Sequence, residues 1–336
     1  MDDKGVTLQI NLAPTDLPHA KYTLPHQLRQ WAEQVDEILF VVDLHRSRGR
    51  YSEAWKERLP GFRRLIDEYC AKYDKARTID VDYSDEVAAK LSTRYFGDQA
   101  LPAKDWNGGP FYSYFFGLDA AKHNYVLHMD SDMMYGGGSS TWVAEGVQLL
   151  VERPDVLICN PLPGPPTSDG HLRSQTLERE SYPSLAFRAS TLSTRIFLMD
   201  RERFFSRINH LVLTQPPRRR IWQAQADGNP PYKPAEEIFS EAMAEHGLVR
   251  IDFLGNDPGM WSIHPPYRSP LFYDLLPALI QQVEAGDIPE AQRGCHDMND
   301  SMVDWSSARK PFVQRVIKHI KLFLQYRAEK ISFSPQ

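Results

Sequence analysis

Two aspartates, Asp130 and Asp132, stand one residue apart directly after the apolar run Tyr125 to Met129, and Gly136, Gly137 and Gly138 follow. A run of that length reads as a buried parallel strand. In an open α/β sheet, ligands collect just past the carboxyl ends of the strands. Two carboxylates placed there offer oxygen ligands only. That suits a hard divalent cation, Mg²⁺ or Mn²⁺, able to bridge protein carboxylates and a diphosphate. The competing reading is that both aspartates merely end a strand and cap the next helix. A second acidic pair, Glu236 and Glu237, opens an amphipathic segment whose stripe Ile238, Phe239, Ala242, Met243 and His246 turns inward. Acidic residues in a first helical turn complement the helix dipole. A carboxylate there is also placed to accept a proton from a hydroxyl.

The elements that must position these residues alternate along the first half of the chain. Strands are predicted over Val6 to Leu12, Glu37 to Val42, Ala76 to Val81, Tyr125 to Met129 and Val156 to Cys159. Helices are predicted over Leu24 to Val35, Phe62 to Tyr73, Pro110 to about Lys122 and Thr141 to Val151. That rhythm implies a mostly parallel, doubly wound α/β sheet with helices on both faces. The second half is less regular. Pro161 to Pro166 and Gln215 to Pro234 read as proline-rich loops, the latter carrying Arg218, Arg219, Arg220 and Trp222 as a candidate lid. Between them a strand is predicted over Arg195 to Met199 and a short helix over Arg201 to Ile208. The helix Ala235 to His246, stopped by Gly247, and a strand over Val249 to Phe253 follow.

Bulk properties exclude several classes. With 39 basic and 44 acidic residues the net charge is −5, so no basic field points to nucleic acid as a partner. Three scattered cysteines fit a reducing compartment rather than a disulfide framework. Cys295, His296 and Asp297 lack a second pair at zinc spacing and read as a surface loop. The acidic N-terminus has no signal-peptide core, and no apolar run is long enough to span a membrane, so a cytoplasmic setting is expected. Residues 311–330 are predicted to form a basic amphipathic helix with Phe312, Val316, Ile320, Phe323 and Leu324 on one face. Such a helix docks on its own domain or lies as a peripheral contact on the inner, anionic face of a membrane.

The order of these pieces resembles the GT-A fold glycosyltransferases, family-2-like members in particular. Phe116 to Ala121 followed by Tyr125 to Asp132 is similar to their helix, strand and Asp-x-Asp unit. Ala235 to Gly247 is similar to their acidic helix, and Trp261 to His264 lies where many members place a metal-binding histidine. The resemblance covers Val6 to about Arg268. Residues 1–140 correspond to a donor-binding half and 141–268 to an acceptor and catalytic half, with 269–336 as a helical extension. Asn11 to Pro14 replaces the opening Pro-x-Tyr-Asn of the family, and the second strand ends in a single Asp43.

The resemblance implies transfer of a sugar from a UDP- or GDP-sugar to a hydroxyl acceptor, which is a sugar, a lipid-linked or a small molecule. Asp132 is then the direct metal ligand, Asp130 faces the donor ribose or a metal-bound water, and His264 supplies a nitrogen ligand that favours Mn²⁺. Ala13 and Pro14 lie against the donor, and Asp43 accepts from the nucleobase, with Asp80 and Asp82 competing for that role. Glu237, with Glu236 as the fallback, is the base of an inverting reaction; a retaining course is the alternative. Two other classes compete. A sugar-phosphate nucleotidyltransferase needs a glycine-rich phosphate loop after the first strand, where Asn11 to Asp16 has no glycine. A non-catalytic nucleotide-sugar binder has no need of the acidic pairs.

Overall fold

The computed structural model describes residues 5–45, 54–173, 175, 177–309, 320 and 324. Apart from Ile320 and Leu324, the predicted amphipathic helix of residues 311–330 lies outside them. The chain runs β1 (Val6–Leu12), α1 (Leu17–Trp31), β2 (Glu37–Val42), α2 (Trp55–Lys72), β3 (Ala76–Asp80), α3 (Asp85–Phe96) and α4 (Tyr112–Ala120). It continues β4 (Tyr125–Asp130), β5 (Met134–Gly136), α5 (Trp142–Glu152), β6 (Val156–Pro163), β7 (Glu178–Glu180), β8 (Ala186–Ala189), β9 (Ile196–Asp200) and α6 (Arg201–Arg207). Then come α7 (Arg218–Asp227), α8 (Ala235–Glu245), β10 (Val249–Phe253), β11 (Trp261–Ile263) and α9 (Pro270–Ala285).

The main sheet has the order β3, β2, β1, β4, β9, β6, β10, β8, β7. β3, β2, β1 and β4 are mutually parallel, and β6 is parallel to β10. β9 runs antiparallel between β4 and β6, and β8 and β7 close the far edge antiparallel. This is the mostly parallel, doubly wound α/β sheet that the alternation of strands and helices predicts. Side chains alternate across it. Ile38, Phe40 and Val42 of β2 face Leu24, Leu28 and Trp31 of α1, Phe62 and Ile66 of α2, and Val143 and Val147 of α5. Leu39 and Val41 face the opposite layer, built from Leu91 and Tyr95 of α3, Phe115 of α4, Phe204 of α6 and Phe239 of α8.

The reversed β9 matters for the site. Its first residue, Ile196, pairs with Met129, so the start of β9 lies at the carboxyl edge of β4. The Asp130 N–H donates to the Arg195 carbonyl at 2.8 Å. A second small pairing works beside it. β11 lies antiparallel to β5 and parallel to the end of β6. A Cβ on Gly136 would sit 2.0 Å from the Trp261 ring, so only glycine lets these strands approach. That approach carries His264, the residue after β11, back toward Asp132.

α1 begins seven residues before the predicted Leu24, with Pro18 in its first turn and Pro25 inside it. The extra turns supply polar residues to the bend after β4. His19 Nε2 lies 2.9 Å from Ser131 Oγ, and Thr23 Oγ1 donates to the Ser131 carbonyl at 2.5 Å. Gln27 Nε2 donates to the carbonyls of Asp130 and Met133, both at 3.0 Å. A tight bend in the interior leaves carbonyls that water cannot reach, and α1 satisfies them.

His26 extends this pattern to α9. Its Nε2 accepts from the Tyr135 N–H at 2.8 Å, so Nδ1 carries the proton and donates to Glu284 at 2.7 Å. Burial holds the His26 pKa below its ordinary value, against the opposing pull of Glu284. The hydrogen bond from His26 and the contact with Arg29 hold Glu284 down to about 2. Both folded groups bind fewer protons than their unfolded counterparts in acid, so their stabilisation is present at neutral pH. It is lost as pH falls, first below the ordinary range of histidine and then below that of glutamate. The melting temperature is expected to fall between about pH 7 and 5, and His26→Gln to flatten that slope in scanning calorimetry. An equally steep slope in the variant would place the acid sensitivity elsewhere.

Candidate functional site

Asp132 is buried at 2% exposure, and its two oxygens differ. Oδ2 accepts from Arg268 Nε at 2.9 Å and Nη2 at 2.7 Å, and lies 3.7 Å from His264 Nε2. Oδ1 is buried with no hydrogen-bond partner among the described residues. Burial works to raise this carboxyl, but Arg268, His264 and His19 outweigh it and hold it well below the usual carboxylate range. His19, pushed down to about 4 by burial and by Arg268, is a neutral hydrogen-bonding group at pH 7. Arg268 also reaches Asp16 Oδ1 at 3.2 Å, and Asp16 Oδ2 accepts from the Ala13 N–H at 2.9 Å. Ala13 and Pro14 thus form the turn at the end of β1 that carries Asp16.

Asp130 faces elsewhere. It lies beside the Tyr114 hydroxyl at 3.3 Å and His128 Nε2 at 3.7 Å. Among the described residues no three His, Cys, Asp or Glu side chains gather as a metal cluster. Of the expected ligands, Asp132 and His264 come together and Asp130 stands apart from them. The pair still fits a divalent cation in its chemistry. It offers a buried, partnerless carboxylate oxygen and an imidazole nitrogen near the other oxygen, a mixed set that suits Mn²⁺.

Behind His264 lies a segment that the sequence reading assigned to the surface. The His264 N–H donates to the His296 carbonyl and the Met298 N–H to the His264 carbonyl, both at 2.9 Å. His296 is 7% exposed, and burial and Arg195 push its pKa down to about 3. Asp297 Oδ1 lies 3.6 Å from His264 Nδ1 and accepts from Arg195 Nη1 at 2.6 Å. A carboxylate behind an imidazole fixes its orientation and raises its basicity as a ligand. His296 and Asp297 therefore back the site: His296 is buried, while Asp297 keeps the exposure expected of a surface loop.

A cavity of about 270 Å³ opens next to this group, past the carboxyl ends of β6 and β10. Asn160, Arg195, Glu236, Arg250, Asp252 and His296 are among its polar lining residues. Arg250 and Asp252 form an ion pair at 2.7 Å, and the Asn160 Oδ1 is buried with no partner among the described residues. Glu236 Oε2 accepts from the Thr194 N–H at 3.2 Å and lies 3.4 Å from its hydroxyl. Glu237 does not line the cavity. Its side chain is 43% exposed and lies 3.7 Å from Arg220.

Asp43 ends β2 as expected, but its oxygens already serve the protein. Lys104 Nζ donates to Oδ2 at 2.6 Å, and the Tyr83 hydroxyl and His45 N–H donate to Oδ1 at 3.0 and 2.8 Å. Asp82 is exposed, and its Oδ1 accepts from the Ser84 N–H ahead of α3. Above Asp43 the rings of His45, Tyr83 and Tyr112 follow one another at 4.9 and 4.6 Å. The segment expected to be a loop over Gln215 to Pro234 contains α7, with Arg220 over the Trp106 ring at 4.7 Å and Trp222 76% exposed.

The sequence signals for Asp130, Asp132 and Glu236 were direct. Asp297 had only the Cys295, His296 and Asp297 cluster, and Arg268, Asp16 and Arg195 had no signal beyond being charged residues in loops or near element ends.

No family model matches this chain, and no curated protein matches it. Among solved structures, it is similar to a 4-diphosphocytidyl-2C-methyl-D-erythritol synthase from Anaerococcus prevotii, with a TM-score of 0.40 and 13% identity over 83% of this chain and 100% of that one. It is similar to residues 1–349 of S. aureus TarS in complex with UDP-GlcNAc, with a TM-score of 0.40 and 10% identity over 85% of this chain and 68% of that one. It is also similar to a mannosyltransferase from Pyrobaculum calidifontis in complex with GDP-Man and Mn²⁺, with a TM-score of 0.33 and 12% identity over 100% and 90% of the two chains. Likeness at this level assigns neither substrate nor metal, so the functional reading rests on the site itself.

Proposed function

We propose that the protein is a metal-dependent glycosyltransferase that moves a sugar from a UDP- or GDP-sugar to a hydroxyl acceptor. One observation carries this reading: the Asp132 and His264 pair at the tip of a central parallel strand adjoins a polar cavity with a carboxylate, Glu236, in its wall. Asp132 and His264 would hold the cation, which when bound would offset charge developing on the departing diphosphate. Asp297, itself held by Arg195, would attract the Nδ1 side of the His264 ring and so leave Nε2 toward Asp132. The cavity takes the acceptor, whose hydroxyls meet the Asn160 oxygen and the Arg250 and Asp252 pair. Glu236, steadied by Thr194, accepts the proton from the attacking hydroxyl in an inverting displacement. Glu237, turned toward Arg220, is the less suited of the two glutamates.

The test is thermal. A nucleoside diphosphate that binds the native state alone must raise the melting temperature. UDP or GDP is expected to do so with Mn²⁺ present and to lose the effect with chelator, while ADP leaves the melt unchanged. A melt indifferent to UDP and GDP in Mn²⁺ would remove the reading.

A further inference from the structure

The Asp132 carboxylate carries a guanidinium on the side where His264 approaches. Arg268 grips Oδ2 with two N–H donors at 2.9 and 2.7 Å, and His264 Nε2 lies 3.7 Å from the same oxygen. A cation held between His264 and Oδ2 would enter the space of that guanidinium. Two positive groups on one carboxylate oxygen in a buried site repel strongly. Arg268 has somewhere else to go. Its Nη1 already reaches Asp16, and its side chain, in the loop between β11 and α9, is 35% exposed. Leaving Asp132 therefore does not strand the charge, because Asp16 remains beside it. A released guanidinium beside a bound cation is also well suited to the oxygens of a diphosphate.

We infer that Arg268 is an exchangeable counter-ion for Asp132. It competes with the divalent cation and passes to the diphosphate when cation and nucleotide bind together. This rests on the metal reading above. Its consequence is coupling: Mn²⁺ alone binds weakly, and nucleotide strengthens it, because the diphosphate gives Arg268 a new partner. Coupling of this kind is reciprocal between the two ligands.

Free Mn²⁺ can be titrated by electron paramagnetic resonance on the full chain, with and without UDP or GDP. Arg268→Gln is expected to bind Mn²⁺ alone roughly five- to a hundredfold more tightly than the wild type, the usual range of such coupling. It should also lose most of the enhancement by nucleotide. Arg268→Lys keeps the charge but not the two-pronged grip and should tighten Mn²⁺ less. It also serves as the reporter if Arg268→Gln shows no cooperative melt. Asp132→Asn should abolish Mn²⁺ binding in every background. If Asp132→Asn loses Mn²⁺ while both Arg268 variants bind it no more tightly than wild type, the counter-ion inference fails and the metal site stands. If Asp132→Asn binds Mn²⁺ as the wild type does, the metal lies elsewhere and both readings fail.

Discussion

An Asp132→Ala variant is expected to lose Mn²⁺-dependent binding of the nucleoside diphosphate while keeping its fold. Partners one shell removed from a metal typically change affinity by about 10- to 100-fold, and a direct ligand should exceed that. Removing the carboxylate also removes the main partner of Arg268. The guanidinium retains Asp16 at 3.2 Å, so the expected penalty is a lowered melting temperature rather than unfolding. Isothermal calorimetry with UDP and GDP, in Mn²⁺ and in chelator, separates the outcomes. The wild type should bind in Mn²⁺ and not in chelator, and the variant in neither. Equal nucleotide affinity in wild type and variant would mean that no cation bridges Asp132 to the diphosphate.

The frame around this residue was legible because it follows from local pattern. Tyr125 to Asp130 is an apolar run closed by a carboxylate, and Glu37 to Val42 is buried on both faces, so each reads as a central strand. What local pattern does not carry is direction. Ile196 to Asp200 looks like any buried strand. Its reversal between β4 and β6 is set by the detour of the chain through β7 and β8. The helix α7 escaped notice for a different reason. Only Ala224 and Asp227 of its residues are buried, so it has no apolar stripe to read. Its borders, Pro217 and Gly228, are the only signal, and in a proline-rich stretch they read as loop.

The site was legible where one residue suffices and illegible where two must meet. Asp132 announces itself by its place at a strand end, but Arg268 is 136 residues away and Asp297 further still. No periodicity links them. Asp43 shows the opposite failure. Its position at the strand end is as expected, yet Lys104, 61 residues on, occupies it with an ion pair of 2.6 Å. Its role in this structure is to anchor the 104–110 segment. Glu236 and Glu237 differ by one helical step of about 100 degrees. Both fall on the polar side of the stripe, and only the neighbouring strand entry at Thr194 tells which one meets the cavity.

That difference gives the second large effect. Glu236→Gln keeps the shape of the side chain and an oxygen to accept from the Thr194 N–H, so the cavity wall should survive. It removes the ability to take a proton. Turnover is expected to fall by roughly two to four orders of magnitude, the usual weight of a general base, with nucleotide affinity unchanged. Glu237→Gln gives up only a contact of 3.7 Å to Arg220 on a side chain 43% exposed, and turnover should stay within a few-fold. Hydrolysis of the UDP- or GDP-sugar in Mn²⁺ serves as the readout, since water in the cavity takes the place of the acceptor and needs the same proton acceptor. Initial rates and nucleotide affinities for both variants decide the assignment. A large loss at Glu237 with Glu236 near normal would move the base to the Arg220 side and the acceptor out of the cavity. Small losses at both would leave no glutamate base on α8 and would favour a retaining course.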